Sequence, residues 1–426
     1  MICSTGLQAK QVVTVDRISS SFPVYATDVS SDGAVIVGED FHYGDGQFTQ
    51  IPDVLLVGVS DDGTTAAGLI WHGSSGSPGS TVELTGWEAG KLNPLGYPVG
   101  SENVQPSCIS GDGNVIAGFA LFEPGGWMGF IWKDGEFSIL QNSLRPILLS
   151  YDGTVIIGEY PGSLVQGNLE SGVFAGLDKL PISNEYGVND MTGDGSTLVG
   201  YYQIASEGGM HHACRWVDGK IEALEELPGT TTSSALHVSG DGSIILGNMS
   251  GDATDDILII WPEYNGYKPL SIKDMLVSHG HNPKHLNNIY FNPDTYHANA
   301  ILSEDGTTIV CWYNHQGDPR SYLLRIQMLN MFGPHRIHDN HCDTGDWMGW
   351  LNVELEPWAY CLKTQSWFYI PEAVAESGSG WIYIPNLTTN VPELWLVMEG
   401  ETSWGYSYGL GKWMYVTASG WVYLFG

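Results

Sequence analysis

"HVSGDGSIILG", residues 237–247, is an apolar run, a tight polar turn and a second apolar run that ends on glycine. The same phrase recurs as "DVSSDGAVIVG" ending at Gly38, "GVSDDGTTAAG" at Gly68, "CISGDGNVIAG" at Gly118, "LLSYDGTVIIG" at Gly158, "DMTGDGSTLVG" at Gly200 and "ILSEDGTTIVC" at Cys311. Each copy sets an Asp-Gly pair, led by Asp32, Asp62, Asp112, Asp152, Asp194, Asp241 or Asp305, where two β-rich runs meet. Asp-Gly suits a hairpin because glycine accepts a positive φ and aspartate bonds its own backbone. In six of the seven copies the fifth residue after that glycine is glycine again.

Successive Asp-Gly pairs lie 30 to 64 residues apart, which centres on the length of one four-stranded propeller blade. Between them runs a weaker phrase, an aromatic strand, a turn and an apolar strand, clearest in "GFIWKDGEFSIL" (129–140), "HACRWVDGKIEAL" (212–224), "LTGWEAGKLNPL" (84–95) and "ILIIWPEYNGYKPL" (257–270). Each repeat therefore reads as four strands, A to D, joined by hairpins. Four-stranded sheets repeated radially make a propeller, which leaves only short, protected edges. After the last Asp-Gly only "SYLLRI" (321–326) remains as a good strand, while "QVVTVD" (11–16) has no blade of its own. The expected fold is thus all-β, a seven-bladed β-propeller over 1–328 whose last blade is closed by the N-terminal strand.

The alternation of "HACRW…G…L" or "GFIWKDG…L" with the Asp-Gly phrase resembles the extracellular HAF-repeat family over roughly residues 11–328. The resemblance implies a propeller and an exported bacterial protein, at the cell surface or beyond it. It implies no catalytic residues.

Residues 329–426 change character. Six W-x-Y triplets occur there (358–360, 367–369, 381–383, 404–406, 413–415 and 421–423), with nine of the chain's 16 tryptophans. Residues two apart in a strand share a face, so each triplet projects two rings to one side, and turns such as "SGSG" (377–380) separate the strands. This reads as a small aromatic domain rich in β-hairpins, similar to the tryptophan-rich tails of secreted environmental bacterial proteins. Its rings serve either as its own core or as a grip on a polysaccharide, a cell-surface component or a neighbouring subunit.

The 48 acidic against 16 basic residues give a formal charge of −32, which repels nucleic acid and anionic membrane surfaces. No apolar run approaches the roughly 18 residues that a spanning helix needs. "MICSTGLQAK" at the start has no apolar segment of a secretory signal. Cys108, Cys214 and Cys311 fall in strands of different blades as small apolar residues. Cys342 and Cys361 flank the start of the aromatic tail, where a bridge and two free thiols fit equally well.

The A–B hairpins are uniform, whereas the B–C connections are long and individual, and length variation marks a working face. These loops and their flanks carry Trp71, His72, Trp127, Tyr160, Tyr201, Trp312, Tyr313, His315 and Arg320. Flat rings with a few polar groups suit a sugar polymer, since pyranose C–H faces lie against rings while hydroxyls take hydrogen bonds. The leading expectation is a polysaccharide-binding or surface-interaction protein. The alternative is a polysaccharide-cleaving enzyme, a lyase before a hydrolase, with His211, His212, Arg215 and Tyr202 supplying the proton-moving and charge-neutralising groups. A structural subunit of an extracellular assembly is the third reading. No cofactor is required by any of them. Asp339, Asp343 and Asp346 in "DNHCDTGD" offer oxygen ligands to calcium. The segment 271–297 predicts a serine-capped helix over 272–279, and its histidines 279, 281, 285 and 297 match no metal spacing.

Overall fold

The computed structural model describes residues 10–72, 81–140, 144–160, 163–204, 206, 208–251, 254–281, 300–314 and 321–332, together with the strand segments 335–338, 341–343, 350–355, 358–361, 366–369, 380–388, 391–399, 402–407, 412–416 and 422–425. The chain divides into two compact units, Thr14–Gln327 and a second made of Met1–Val13 with Met328–Gly426.

The unit Thr14–Gln327 is an all-β propeller. Four of its sheets contain four antiparallel strands each, running in chain order from Ser101–Ile109 to Glu136–Ile139, Arg145–Leu149 to Val173–Gly176, Ser183–Met191 to Lys220–Ala223, and Thr232–Val238 to Leu270–Ser271. A six-stranded sheet covers Ala26–Val29 through Lys91–Gly96. Its long strand Gln47–Val59 pairs through its first part with Ile36–Gly44 and through its second with Thr65–His72. The last strands before Gln327, Ala300–Leu302, Thr308–Asn314 and the start of Ser321–Phe332, are joined at the edge by the N-terminal strand Lys10–Ser20. Arg325 fixes that pairing through Asp16 at 3.0 Å. The N-terminal strand thus takes the position read for it from "QVVTVD".

Each Asp-Gly phrase folds the same way, and the repeated residues show why. Ser30 Oγ donates to Asp32 Oδ1 and accepts from Val35 N, while Asp32 Oδ1 accepts from Ala34 N, all at 2.9 Å. Gly33 completes the turn at φ 73°. The same small network recurs around Asp62, Asp112, Asp152, Asp194, Asp241 and Asp305. The residue just before each of these aspartates links one turn to the next. Ser31 N donates to Asp61 O, Asp61 N to Gly111 O, Tyr151 N to Gly193 O, Gly193 N to Gly240 O and Gly240 N to Glu304 O, with Asp112 N to Tyr151 O and Asp305 N to Ser31 O completing the circuit. All seven turns are therefore joined in one ring of backbone hydrogen bonds.

The second conserved-looking glycine of the phrase answers to a bulge. In six sheets' worth of first strands the register slips by one residue, directly after Ala26, Leu56, Pro106, Pro146, Val188 and Ala235. Those residues stand opposite Gly38, Gly68, Gly118, Gly158, Gly200 and Gly247. The slip brings backbone of the first strand so close that a Cβ on the partner glycine would collide with it, for example with the Gly187 carbonyl at Gly200. In the seventh copy Cys311 pairs with Ala300 at the very start of its strand.

Between the sheets lies a continuous apolar filling. Ile157, Leu198, Cys214 and Trp216 pack in one layer and Val199, Ala213, Ile245, Ile259 and Trp261 in the next. The indole N–H groups of Trp216 and Trp261 donate to Asp178 O and Glu225 O, so neither buried ring carries an unmet donor. Cys214 and Cys311 are buried free thiols, and Cys108 is half-buried. The helix read from the sequence spans Ile272–Ser278, and Ser271 caps it by accepting from Asp274 N at 3.3 Å. His285 and His297 lie outside the described residues.

In the second unit the described strands from His335–His338 to Val422–Phe425 form an antiparallel meander. The register aligns Trp358 with Tyr369, Tyr369 with Tyr383, Tyr383 with Trp395, Trp395 with Tyr406, Tyr406 with Trp413 and Trp413 with Phe425. Trp421 and the side chains of Cys342 and Cys361 lie outside the described residues.

If the close approach at the bulge sets the fold, Gly200→Ala costs more than about 2 kcal/mol. Gly176→Ala, where an added Cβ meets nothing within 4 Å, stays within about 0.5 kcal/mol. Urea midpoints of the two variants check this.

Candidate functional site

A cavity of about 640 Å³ opens between the sheets 183–223 and 232–271, at the end of the strands away from the Asp-Gly turns. Its first wall comes from the hairpin Thr197–Ile204 and His211–Val217, where Gln203 stands opposite His211, Tyr202 opposite His212 and Tyr201 opposite Ala213. Side chains alternate along a strand, so Tyr201, Gln203 and His211 point into the cavity while Tyr202 and His212 point away from it. The rings of Tyr201 and His211 stack with centroids 4.1 Å apart and planes at 16°. Gly187 leaves room for this stack, because a Cβ there would press on the Tyr201 ring. Gln203 Nε2 lies 2.7 Å from His211 Nε2; with the amide donating, the imidazole proton sits on Nδ1. Burial pulls the His211 pKa below 6.5, an effect that the Glu185 charge only partly offsets. The ring is therefore neutral at pH 7.

The second wall is mainly polar and carries no charge. Thr232 and Ser250 share a hydroxyl hydrogen bond at 2.7 Å, and Asn189 Nδ2, reaching across from the first sheet, donates to Ala235 O at 2.7 Å. Asn189 is the extra residue of the bulge in Ser183–Met191. Ser233, Ser234, Leu236 and Asn248 complete this side, with Gly208, Gly209 and Met210 at the mouth and the exposed Glu185 beside them.

Of the residues singled out in the sequence, Tyr201 and His211 line this cavity; Trp71, His72, Trp127, Tyr160 and Trp312 do not. Trp312 is a correction: only 7% exposed, it packs with Phe41, Tyr43, Ile301 and Leu323 in the core that joins the last strands to the first. His72 is exposed and bonds Glu83 at 2.9 Å, while Trp127 meets Phe119 edge to face at 5.3 Å. The expected group of His211, His212, Arg215 and Tyr202 is also corrected. His212 bonds Glu226 at 3.0 Å, Tyr202 is 8% exposed in the apolar layer, and Arg215 bonds Glu222 at 2.9 Å with its guanidinium 4.0 Å over the Tyr267 ring. Strand alternation, invisible as a motif, divides the four. His315, Arg320, Asp339 and Asp346 lie outside the described residues, as do the side chains of Tyr313 and Asp343. No cluster of three or more His, Cys, Asp or Glu suited to a metal occurs among the described residues.

The sequence reading missed Glu185, Asn189, Thr232, Ser234, Asn248 and Ser250. They belong to the first two strands of their sheets and not to the long loops. Asn189 alone left a trace, as the only amide among the six bulge positions.

A second cavity of about 250 Å³ lies along the axis inside the ring of turns, lined by Asp28, Asp61, Tyr151, Asp190, His237 and Glu304 among others. Asp28 and Asp190 each reach into the neighbouring phrase, accepting from Val59 N and Val238 N at 2.9 Å. His237 Nδ1 is 3.4 Å from Asp190 Oδ2. Burial drives the carboxyls upward, Glu304 to about 9, Asp28 to about 7 and Asp61 to about 6, and neighbouring carboxylates add to the rise.

Three solved structures have a related course of chain. The β-propeller domain of the Trilobed protease from Pyrococcus furiosus, described as having an open velcro topology, is 13% identical with a TM-score of 0.41, covering 80% of this chain and 93% of that one. TolB from Acinetobacter baumannii is 9% identical with a TM-score of 0.35, covering 84% and 79%. A prolyl endopeptidase is 12% identical with a TM-score of 0.44, and the match covers 72% of this chain but 47% of that one, about half its length. Likeness at this level carries no argument about activity. No protein-family model matches the sequence, and no curated protein matches it.

The axial carboxyls set a direction for pH. A carboxyl whose folded pKa is raised contributes stability that is complete below its unfolded value and lost as pH rises through the folded one. For Glu304 that window runs from 4.5 to about 9. The turn aspartates Asp62, Asp152 and Asp194 behave oppositely. Held low first by the backbone N–H groups of Thr64, Thr154 and Ser196, they lose their contribution only as pH falls below the usual 3.8. The melting temperature should therefore fall between about pH 5 and pH 9, and Glu304→Gln should flatten the fall. A thermal series in both proteins decides; an equal slope in the variant defeats the assignment.

Proposed function

We propose that the chain is an exported bacterial protein of the HAF-repeat kind, a seven-bladed propeller followed by a small aromatic β domain, and that it binds polysaccharide at the face opposite its Asp-Gly turns. The count of seven follows if the six-stranded sheet is two blades sharing Gln47–Val59, and the ring of seven linked turns supports it. The observation that carries the binding reading is the stacked Tyr201–His211 pair, set in a cavity otherwise lined mainly by amides and hydroxyls. A pyranose ring presents an apolar C–H face and a rim of hydroxyls, and the two walls match those two requirements.

Binding is favoured over cleavage by what surrounds the stack. A hydrolase places two carboxyls about 5–10 Å apart across the scissile bond, and among the described lining residues Glu185 is the one carboxylate. A lyase needs a cation against the uronate carboxylate, and Arg215 is engaged by Glu222 and Tyr267. The tail, with its aligned aromatic positions, serves in this reading as a second point of attachment to glycan, cell surface or a neighbouring subunit. Calcium at Asp339, Asp343 and Asp346 remains an accessory to that tail.

Titration with a panel of neutral and acidic polysaccharides tests the proposal. Saturable binding is expected without new reducing ends and without the ultraviolet absorbance of unsaturated sugars. Tyr201→Ala weakens binding by roughly tenfold at unchanged melting temperature. Trp312→Ala instead destabilises by about 3–5 kcal/mol. Release of product, or full binding by Tyr201→Ala, defeats the proposal.

A further inference from the structure

The cavity beside Tyr201 is poor in donors of positive charge and rich in acceptors. Among the described residues no lysine or arginine lines it, and its one carboxylic side chain is the exposed Glu185, opposite Gln203. Burial raises Tyr201 and lowers His211, and the Glu185 charge adds to the first shift and opposes the second. The opposite wall presents the hydroxyls of Thr232, Ser234 and Ser250.

We infer that this cavity selects sugars bearing a protonated amino group, of the 2-amino-2-deoxyhexose class, with Glu185 as the residue that reads the charge. The inference rests on the glycan-binding reading and narrows it. An ammonium offers three donors and no acceptor, which is the complement of a carboxylate and a row of hydroxyl oxygens. The stacked Tyr201 face adds cation–π attraction, and a neutral His211 places no competing positive charge beside it. The chain's formal charge of −32 raises the local concentration of cations and excludes uronates and sulfated glycans. N-acetylation would remove the charge and add a carbonyl acceptor, and so forfeit both terms.

Three probes of equal length separate the outcomes: a β-1,4-linked glucosamine oligomer, its N-acetylated counterpart and a gluco-oligomer, each titrated calorimetrically at about 0.15 M salt to screen diffuse attraction. The glucosamine oligomer is expected to bind roughly tenfold or more tightly than the N-acetylated one. Glu185→Gln, at an exposed position that leaves folding intact by melting temperature, should bring that ratio close to one. Glu136→Gln, an exposed carboxylate on another sheet, should leave the ratio unchanged. Equal or tighter binding of the N-acetylated oligomer, a preference that survives in Glu185→Gln, or one lost equally in Glu136→Gln overturns the inference while leaving glycan binding in place. Failure of all three probes to bind defeats both.

Discussion

The structure depends on one close approach, backbone of a bulged first strand lying directly over a glycine of the second. At Gly38, Gly68, Gly118, Gly158, Gly200 and Gly247 no side chain larger than hydrogen fits. The bulge turns the strand, and the turn carries the following Asp-Gly hairpin inward to where its neighbour's backbone is within hydrogen-bonding reach. Serine or threonine and aspartate then satisfy the turn's own polar groups, which leaves the carbonyl of the intervening residue, with its own amide or that of the aspartate, free to join the ring. Bulge, glycine and Asp-Gly turn thus act together in six of the seven copies, while the seventh, with Cys311 opposite Ala300, joins the ring through its turn alone.

The device has an electrostatic cost. Drawing seven turns together confines Asp28, Asp61, Asp190 and Glu304 to a narrow axial space, where burial first and neighbouring carboxylates after it disfavour ionisation of Asp28, Asp61 and Glu304. Part of the cost is offset locally: Asp28 and Asp190 each accept a backbone N–H from the adjoining phrase, and His237 stands beside Asp190. Asp61 and Glu304 have no such side-chain hydrogen bond among the described residues, and Glu304 sits at the last turn, where the circuit returns to Ser31 through its longest link, 3.3 Å.

The fold was legible because each repeated residue does a local job that its chemistry alone announces: glycine for a positive φ, aspartate for the turn amide, tryptophan for a buried layer. The N-terminal strand was legible by subtraction, as "SYLLRI" lacked a partner and "QVVTVD" lacked a blade. The site was not legible in the same way. Its two walls come from neighbouring sheets, so Glu185 and Asn189 meet Asn248 and Ser250 across more than fifty positions of sequence with no motif between them. His211 and His212 looked like one pair, yet adjacent residues in a strand face opposite ways, and only His211 reaches the cavity. Trp312 looked exposed because it precedes a long loop, but it stands where the closing strands need a large apolar side chain.

These two kinds of legibility have one physical origin. Near the axis every copy must satisfy the same backbone geometry, so the choice of residue is narrow and repetition survives. At the opposite end, among the described residues, the sheets meet through individual contacts such as Ala213 N to Ser233 Oγ and not through a repeated ring. Tyr201, Gln203 and His211 can there be set against Asn189, Thr232 and Ser250 at no cost to the ring. Asn189 lines both cavities and marks the transition. It is the bulged residue of its strand, fixed in place by the constraint at the axis, while its amide belongs to the one wall that the repeats do not share. A rigid, uniform axis is therefore what permits an individual pocket at the rim.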